Sequence, residues 1–289
     1  MILQTPRMRT WYRAAGSKDG RPVLFIHGNA SNSSIWNPIL REIPHGVHAL
    51  APDMRMYGMS DKELKINPKR GLADWAEDLE AFLVTKFTPH KPNIHIVGHS
   101  LGGLVALRLL ANQNIQIDQL TLYAPPPPDG YFTKGPDPGF VKALTEKNRE
   151  AVRTVINMTF WHPSYQHPDI DQIVDAVLDM QVGPGAYPEA IVEAVSPARN
   201  IGMRSTLLSL KKKPPITWVY GNEDVLVSNN RGGPSSDKMV DDMRSFLVQY
   251  AIAGGSFTEI AYERCGHAPF LEILEEQTRF LSDLQALGT

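Results

Sequence analysis

The sequence is poor in cysteine: Cys265 is the only one among 289 residues. An intrachain disulfide is therefore impossible, and no C-x-x-C pattern exists for a redox or zinc site. Long apolar runs are also lacking, and none approaches the roughly 18 residues of a spanning helix. At the N-terminus, "MILQTPRMRTWYRAAG" carries three arginines where a secretory signal needs an apolar stretch, so no signal is expected. These absences point to a cytoplasmic protein with no membrane partner. An excess of charge of one sign is missing too, since the formal net charge is −2. No nucleic-acid partner is expected from so weak a field. The one basic run, Lys211–Lys213, reads as the cationic end of a helix. A chain of this length buries a sizeable core without metal or disulfide support.

What is present is an alternation. Six short aliphatic or β-branched runs predict buried strands: "VLFIH" (23–27), "VHALA" (47–51), "IHIVG" (94–98), "LTLYA" (120–124), "ITWVY" (216–220) and "FTEIAY" (257–262). Runs apolar on both faces suit parallel strands covered on two sides. Between them lie helical patterns at i, i+3, i+4 spacing. Leu72, Trp75, Ala76, Leu79, Phe82 and Leu83 form one; Met239, Met243, Phe246, Leu247 and Tyr250 another; a third follows Pro269. Strands alternating with helices predict an α/β fold with a doubly wound, mostly parallel sheet. From Pro125 to about Pro215 no strand pattern occurs. Ninety residues are too many for a loop. They predict a helical cap over 128–211, inserted in a core domain made of 1–127 and 212–289.

One strand runs directly into "GHSLGG" (98–103) and then into a Leu- and Ala-rich helix. G-x-S-x-G alone arises by chance in roughly one chain in ten of this length. Its strand–turn–helix setting gives it meaning. A serine on such a turn adopts a strained, positive-φ conformation, and its neighbours must lack side chains so that strand and helix can approach. A dinucleotide loop would need G-x-G-x-x-G, and a P-loop Gly-Lys-Ser/Thr; neither is there. Ser100 is thus a candidate nucleophile. A serine hydroxyl needs a base, and the base an orienting carboxylate. On α/β sheets with this elbow the chain order is serine, acid, histidine. Asp224 lies four residues beyond the strand end at Tyr220, and His267 five beyond Tyr262.

With these pieces in view the chain resembles the α/β-hydrolase fold superfamily, and within it capped, esterase-like serine hydrolases. "HGN" (27–29) resembles the family's His-Gly-x oxyanion loop and "GHSLGG" its nucleophile elbow. "GNED" (221–224) resembles its acid loop, and "CGHAPFLEILEE" (265–276) the segment that presents the catalytic histidine. "PDMRMYGMSD" (52–61) resembles a further family loop, with Met56 where a glycine is usual. The resemblance implies Ser100 as nucleophile, His267 as base and Asp224 as orienting acid. It implies an oxyanion hole from the N–H groups of Asn29 and Leu101. The implied reaction is hydrolysis of a carboxylic ester, lactone or related acyl bond of a small molecule, without cofactor or metal.

Alternatives stay open at several points. Asp129 or Glu223 could be the acid in place of Asp224. His162, His167 and Asp169 have a loose metal-ligand spacing, but Pro163 and Pro168 interrupt it. Asn29 could serve only as a left-handed turn residue. Asp53 and Arg55 read as a structural ion pair or turn. Ser228 stands where a proline often follows the acid, and 228–238 reads as a mobile loop near the site. The insertion's aromatics, with Met158 and Met180, suggest a largely apolar substrate. The fold also hosts cofactor-free lyases and oxygenases, C–C bond hydrolases and non-catalytic receptors for small molecules. The sequence leaves the oligomeric state open.

Overall fold

The structure is a computed structural model describing residues 1–87, 92–129, 138–183, 185–226 and 236–287. Eight strands form one sheet: β1 (Ile2–Gln4), β2 (Arg9–Gly16), β3 (Arg21–Ile26), β4 (Val47–Pro52), β5 (Ile94–His99), β6 (Ile117–Tyr123), β7 (Ile216–Gly221) and β8 (Phe257–Tyr262). Their spatial order is β1-β2-β4-β3-β5-β6-β7-β8. The pairs from β4 through β8 are all parallel. β2 pairs antiparallel with both β1 and β4. The six strands expected from sequence are all there. The antiparallel β1–β2 edge was not expected, and the reason is visible in β2. It alternates the buried Thr10 and Tyr12 with the exposed Arg9 and the half-buried Trp11 and Arg13. An antiparallel strand with one partly wet face shows no continuous apolar run. The interior strands β4 and β5, by contrast, are buried along their whole length.

Helices α1 (Asn37–Arg41), α2 (Ala73–Phe87) and α3 (Leu101–Asn112) follow β3, β4 and β5. α2 packs on α3, and α3 on β5. After β6 come α4 (Pro138–Thr145), α5 (Arg149–Thr159), α6 (Ile170–Leu178) and α7 (Glu189–Ala194). Among the described residues of this stretch the only strand-like pairing is a single bridge, Val182 with Tyr187. α8 (Met203–Ser209) also lies within 128–211 but packs on α3 and on α9 (Ser236–Ile252). The basic run behaves as a helix terminus: Lys213 Nζ donates to the Leu210 carbonyl, just past α8. α10 (Pro269–Glu272) and α11 (Leu274–Leu287) close the chain. Among the described residues no helix is long and apolar enough to cross a membrane. Ser228 and most of the expected mobile loop lie outside the described residues; its last three positions begin α9.

The core is continuous across both faces of the sheet and includes Phe25, Trp36, Tyr123, Phe270 and Phe280. Trp36 stacks on Phe270 with ring centroids 4.4 Å apart. Each such fully buried side chain contributes about 1.5–3 kcal/mol. The aromatics of the insertion pack largely on each other, as Phe140 does on Tyr187 and Trp161 on Tyr165. Met158, expected beside a pocket, is 66% exposed.

His95, on β5, is a buried polar residue in this core. Its Nε2 meets Thr121 Oγ1 at 2.9 Å, while Nδ1 has no partner among the described residues. Burial, with Arg21 nearby, pushes its pKa down to about 3. The unfolded value is about 6.5. The unfolded chain therefore binds the extra proton first. The stability this neutral histidine supplies is complete above pH 6.5 and is lost as pH falls from there towards 3. By pH 5 the loss is about 2 kcal/mol. The drop in unfolding free energy between pH 7.5 and pH 5 is expected to shrink by about that amount in His95→Gln, measured by urea denaturation. Equal drops in the two proteins would contradict the assignment.

Candidate active site

The junction of β5 and α3 is built by close backbone approach. A Cβ on Gly98 would stand 2.6 Å from the Gly102 carbonyl oxygen, and one on Gly102 only 2.3 Å from that of Ile26. Real side chains cannot occupy either place. Between them Ser100 takes φ 53° and ψ −118° at the N-cap of α3. A non-glycine residue held there stores about 1–3 kcal/mol of strain. Its N–H is tied to the Tyr123 carbonyl at 2.9 Å. Leu101 is the first helical residue, so its N–H has no intrahelical acceptor and lies at the positive end of the helix dipole.

The loop leaving β3 lies against this turn. A Cβ on Gly28 would be 3.1 Å from the Ser100 Cβ. His27 fixes the loop from beneath. Its Nε2 accepts the Met54 N–H at 3.0 Å, which places the proton on Nδ1, and Nδ1–H donates to the Gly28 carbonyl at 2.8 Å. Burial lowers the His27 pKa and keeps the ring neutral. Asn29 follows, its side-chain oxygen accepting from the Tyr57 hydroxyl at 2.8 Å. The left-handed residue of the loop is Ala30, with φ 50°, so Asn29 is not the turn residue that its type allowed.

The loops after β7 and β8 meet backbone to backbone. A Cβ on Gly221 would sit 2.2 Å from the Cys265 carbonyl oxygen. This contact brings Asp224 and His267 together. His267 Nδ1 donates to Asp224 Oδ2 at 2.6 Å, with both side chains at most 1% exposed. The other carboxylate oxygen accepts the Leu226 N–H at 2.8 Å. With its proton on Nδ1, the ring keeps Nε2 as its basic nitrogen. His99, the residue before Ser100, holds His267 from the elbow side. Its Nε2 donates to the His267 carbonyl at 2.9 Å, and the two rings lie 4.7 Å apart. Burial and the neighbouring His267 hold the His99 pKa well below its usual value, so the ring is a neutral strut. On the insertion side, Phe160 sets its ring 5.8 Å from that of His267, and its carbonyl accepts the His267 N–H at 2.9 Å.

The rival residues are placed elsewhere. Asp129 pairs with Arg204 Nε at 2.5 Å. Glu223 pairs with His162 Nε2 at 3.2 Å. His162 Nδ1 lies against Ser164 Oγ, His167 Nδ1 accepts the Asp169 N–H, and the Asp169 carboxylate pairs with Arg41, so the side chains of His162 and Asp169 turn to other partners. Asp53 and Arg55 are structural, but not as a pair. Asp53 accepts N–H bonds from Ser33 and Met59, each at 2.8 Å. Arg55 forms a two-point ion pair with Asp78 at 2.7 Å. Met56 takes φ 75° and is buried, a methionine in a conformation that favours glycine. Two contributors have no motif that names them: His99, the variable residue of G-x-S-x-G, and Glu272. The Glu272 carboxylate accepts three main-chain N–H bonds around His267. Burial pushes its pKa up, and those three bonds pull against the shift.

A family model described as "Alpha/beta hydrolase family" matches residues 23–280. The chain belongs to this family. Its fold, read above as a doubly wound sheet, is the α/β-hydrolase fold. This α/β-hydrolase is 26% identical to a pimeloyl-[acyl-carrier protein] methyl ester esterase of Aliivibrio salmonicida, over 91% of the chain and 93% of that protein. It is 22% identical to Lipase 1 of Psychrobacter immobilis, over 92% of the chain and 77% of that protein. Among solved structures, an esterase from Rhodococcus sp. ECU1013 superposes with a TM-score of 0.71 at 19% identity, covering 99% of this chain and 97% of that one. A malate-bound thermophilic esterase from Thermogutta terrifontis gives 0.69 at 18% identity, covering 100% and 99%. The likeness to the methyl ester esterase runs across nearly the full length of the chain.

Proposed function

We propose that this α/β-hydrolase cleaves a carboxylic ester, or a lactone or related acyl bond, of a small and largely apolar substrate through an acyl-enzyme. Ser100 Oγ attacks the carbonyl carbon, and its proton passes to His267 Nε2. Asp224 holds the imidazole tautomer and balances the imidazolium that forms. The tetrahedral oxyanion is bound by the N–H groups of Asn29 and Leu101. On collapse the alcohol leaves with the proton from His267. Water, deprotonated by the same nitrogen, then attacks the acyl carbon, releasing the acid and restoring Ser100. Residues 128–211 serve as the lid. The proposed location is the cytoplasm.

The observation that carries this reading is the fully buried 2.6 Å His267–Asp224 bond, joined through His99 to the positive-φ turn of Ser100. Further support comes from the likeness to the two relatives above, one named a methyl ester esterase and the other a lipase. The test is a fluorophosphonate probe with peptide mapping, followed by p-nitrophenyl esters of increasing acyl length. One label per chain is expected, on Ser100, and none in His267→Ala. Ester turnover with the label on another residue, or a serine that stays unlabelled, would remove Ser100 from the mechanism.

A further inference from the structure

Glu272 ends α10, and its buried carboxylate makes a clasp. One oxygen, Oε2, accepts from the Gly266 N–H at 2.9 Å and from the His162 N–H at 2.8 Å; Oε1 accepts from the Ala268 N–H at 3.0 Å. Gly266 and Ala268 flank His267 on either side. The His267 N–H between them goes to the Phe160 carbonyl. Three consecutive N–H groups of the histidine loop are thus held by one carboxylate and the end of α5. The two segments also run in backbone contact, since a Cβ on Gly266 would stand 2.6 Å from the His162 nitrogen.

We propose that Glu272 is a positioning residue: by clasping the N–H groups on both sides of His267 and that of His162, it sets the imidazole against Asp224 and ties this setting to the insertion. The proposal rests on the reading of His267 as the base. Only an ionised carboxylate offers enough acceptor sites for three charge-assisted bonds and no donor to oppose them. A carboxamide in its place turns an NH2 group towards main-chain N–H groups, so at least one bond is lost. The loop then relaxes on both sides of His267. A displacement of about 1 Å at a reacting group costs on the order of a hundredfold in rate.

The experiment compares Glu272→Gln and Glu272→Asp with the wild-type chain. It follows turnover of a short p-nitrophenyl ester, folded fraction by circular dichroism, and the low-field 1H resonance of the His267–Asp224 hydrogen bond, assigned by its absence in Asp224→Asn. In Glu272→Gln, kcat is expected to fall about a hundredfold with KM unchanged, and the low-field proton to shift or broaden, at full folded fraction. Glu272→Asp keeps the charge but is one methylene shorter, and is expected to recover part of both signals. The proposal is overturned if the low-field proton is unmoved in both variants, whether kcat stays at the wild-type value or falls only with the folded fraction. Should the glutamine variant not fold, the aspartate variant carries the same two readouts. The resonance reports on His267 whether or not Ser100 is the nucleophile. A proton that responds to Glu272 in a chain that takes no fluorophosphonate would therefore remove the esterase reading and leave the clasp.

Discussion

Ser100→Ala and His267→Ala are each expected to lower ester turnover by about a million-fold, measured as kcat on a p-nitrophenyl ester. The two groups act as one unit. Without the base the hydroxyl keeps its proton, and without the hydroxyl the base has nothing to activate. The double variant is therefore expected to be no slower than either single one, because residual rate comes only from substrate binding and the oxyanion donors. Their stabilities should differ. Ser100→Ala keeps the backbone of the turn and removes one oxygen. His267→Ala leaves the fully buried Asp224 carboxylate without the partner 2.6 Å away. Leaving a buried acceptor without its donor costs about 1–3 kcal/mol, and more for a charged group. Thermal unfolding should rank the alanine at position 267 well below the one at position 100. Retention of a hundredth of wild-type turnover by either single variant would end the role given to that residue.

Asp224→Asn is expected to cost about ten-thousandfold in kcat. An amide at this place can present its NH2 to Nδ1, which favours the proton on Nε2, the nitrogen that has to accept one. Geometry is kept and the tautomer is wrong, so KM should change little. Asp129→Asn and Glu223→Gln are the matching controls, since each would be the acid if Asp224 were not. Asp129 is engaged with Arg204, and Glu223 with His162. Partly exposed pairs of this kind are worth about 0–1 kcal/mol, so both variants should stay folded and turn over near the wild-type rate. An inactive Asp129→Asn beside an active Asp224→Asn would reverse the assignment.

How far the molecule was legible depends on what each feature needs from its surroundings. Five of the six parallel strands are readable because burial leaves a mostly apolar run, as in β4 and β5, and the partly exposed β8 is readable from its aromatic and β-branched residues. The β1–β2 edge is not, because its residues alternate between core and water. Asp53 and Arg55 are two residues apart and invite a pair, yet the guanidinium reaches Asp78 on α2. Only the packing of that helix on the sheet creates this partner. In the same loop, Met56 shows that a glycine-like φ can be imposed on a large side chain when the core holds it.

The sequence by itself determined the α/β alternation, the tight turn at Ser100, and the chain order of a serine, an acid and a histidine on loops beyond strands. These are local properties, set by periodicity and by the steric demands of neighbouring residues. Tertiary structure alone decided that Asp224 rather than Glu223 or Asp129 meets His267, that His99 braces it, and that Glu272 reaches across to His162 in the insertion. Each is a hydrogen bond between residues 43 or more apart in sequence. Its existence depends on two backbones meeting at Gly221 and Cys265, or at Gly266 and His162, within a few ångströms. No spacing along the chain encodes such a meeting, because it is the packing of the whole sheet and its helices that brings those loops to one place.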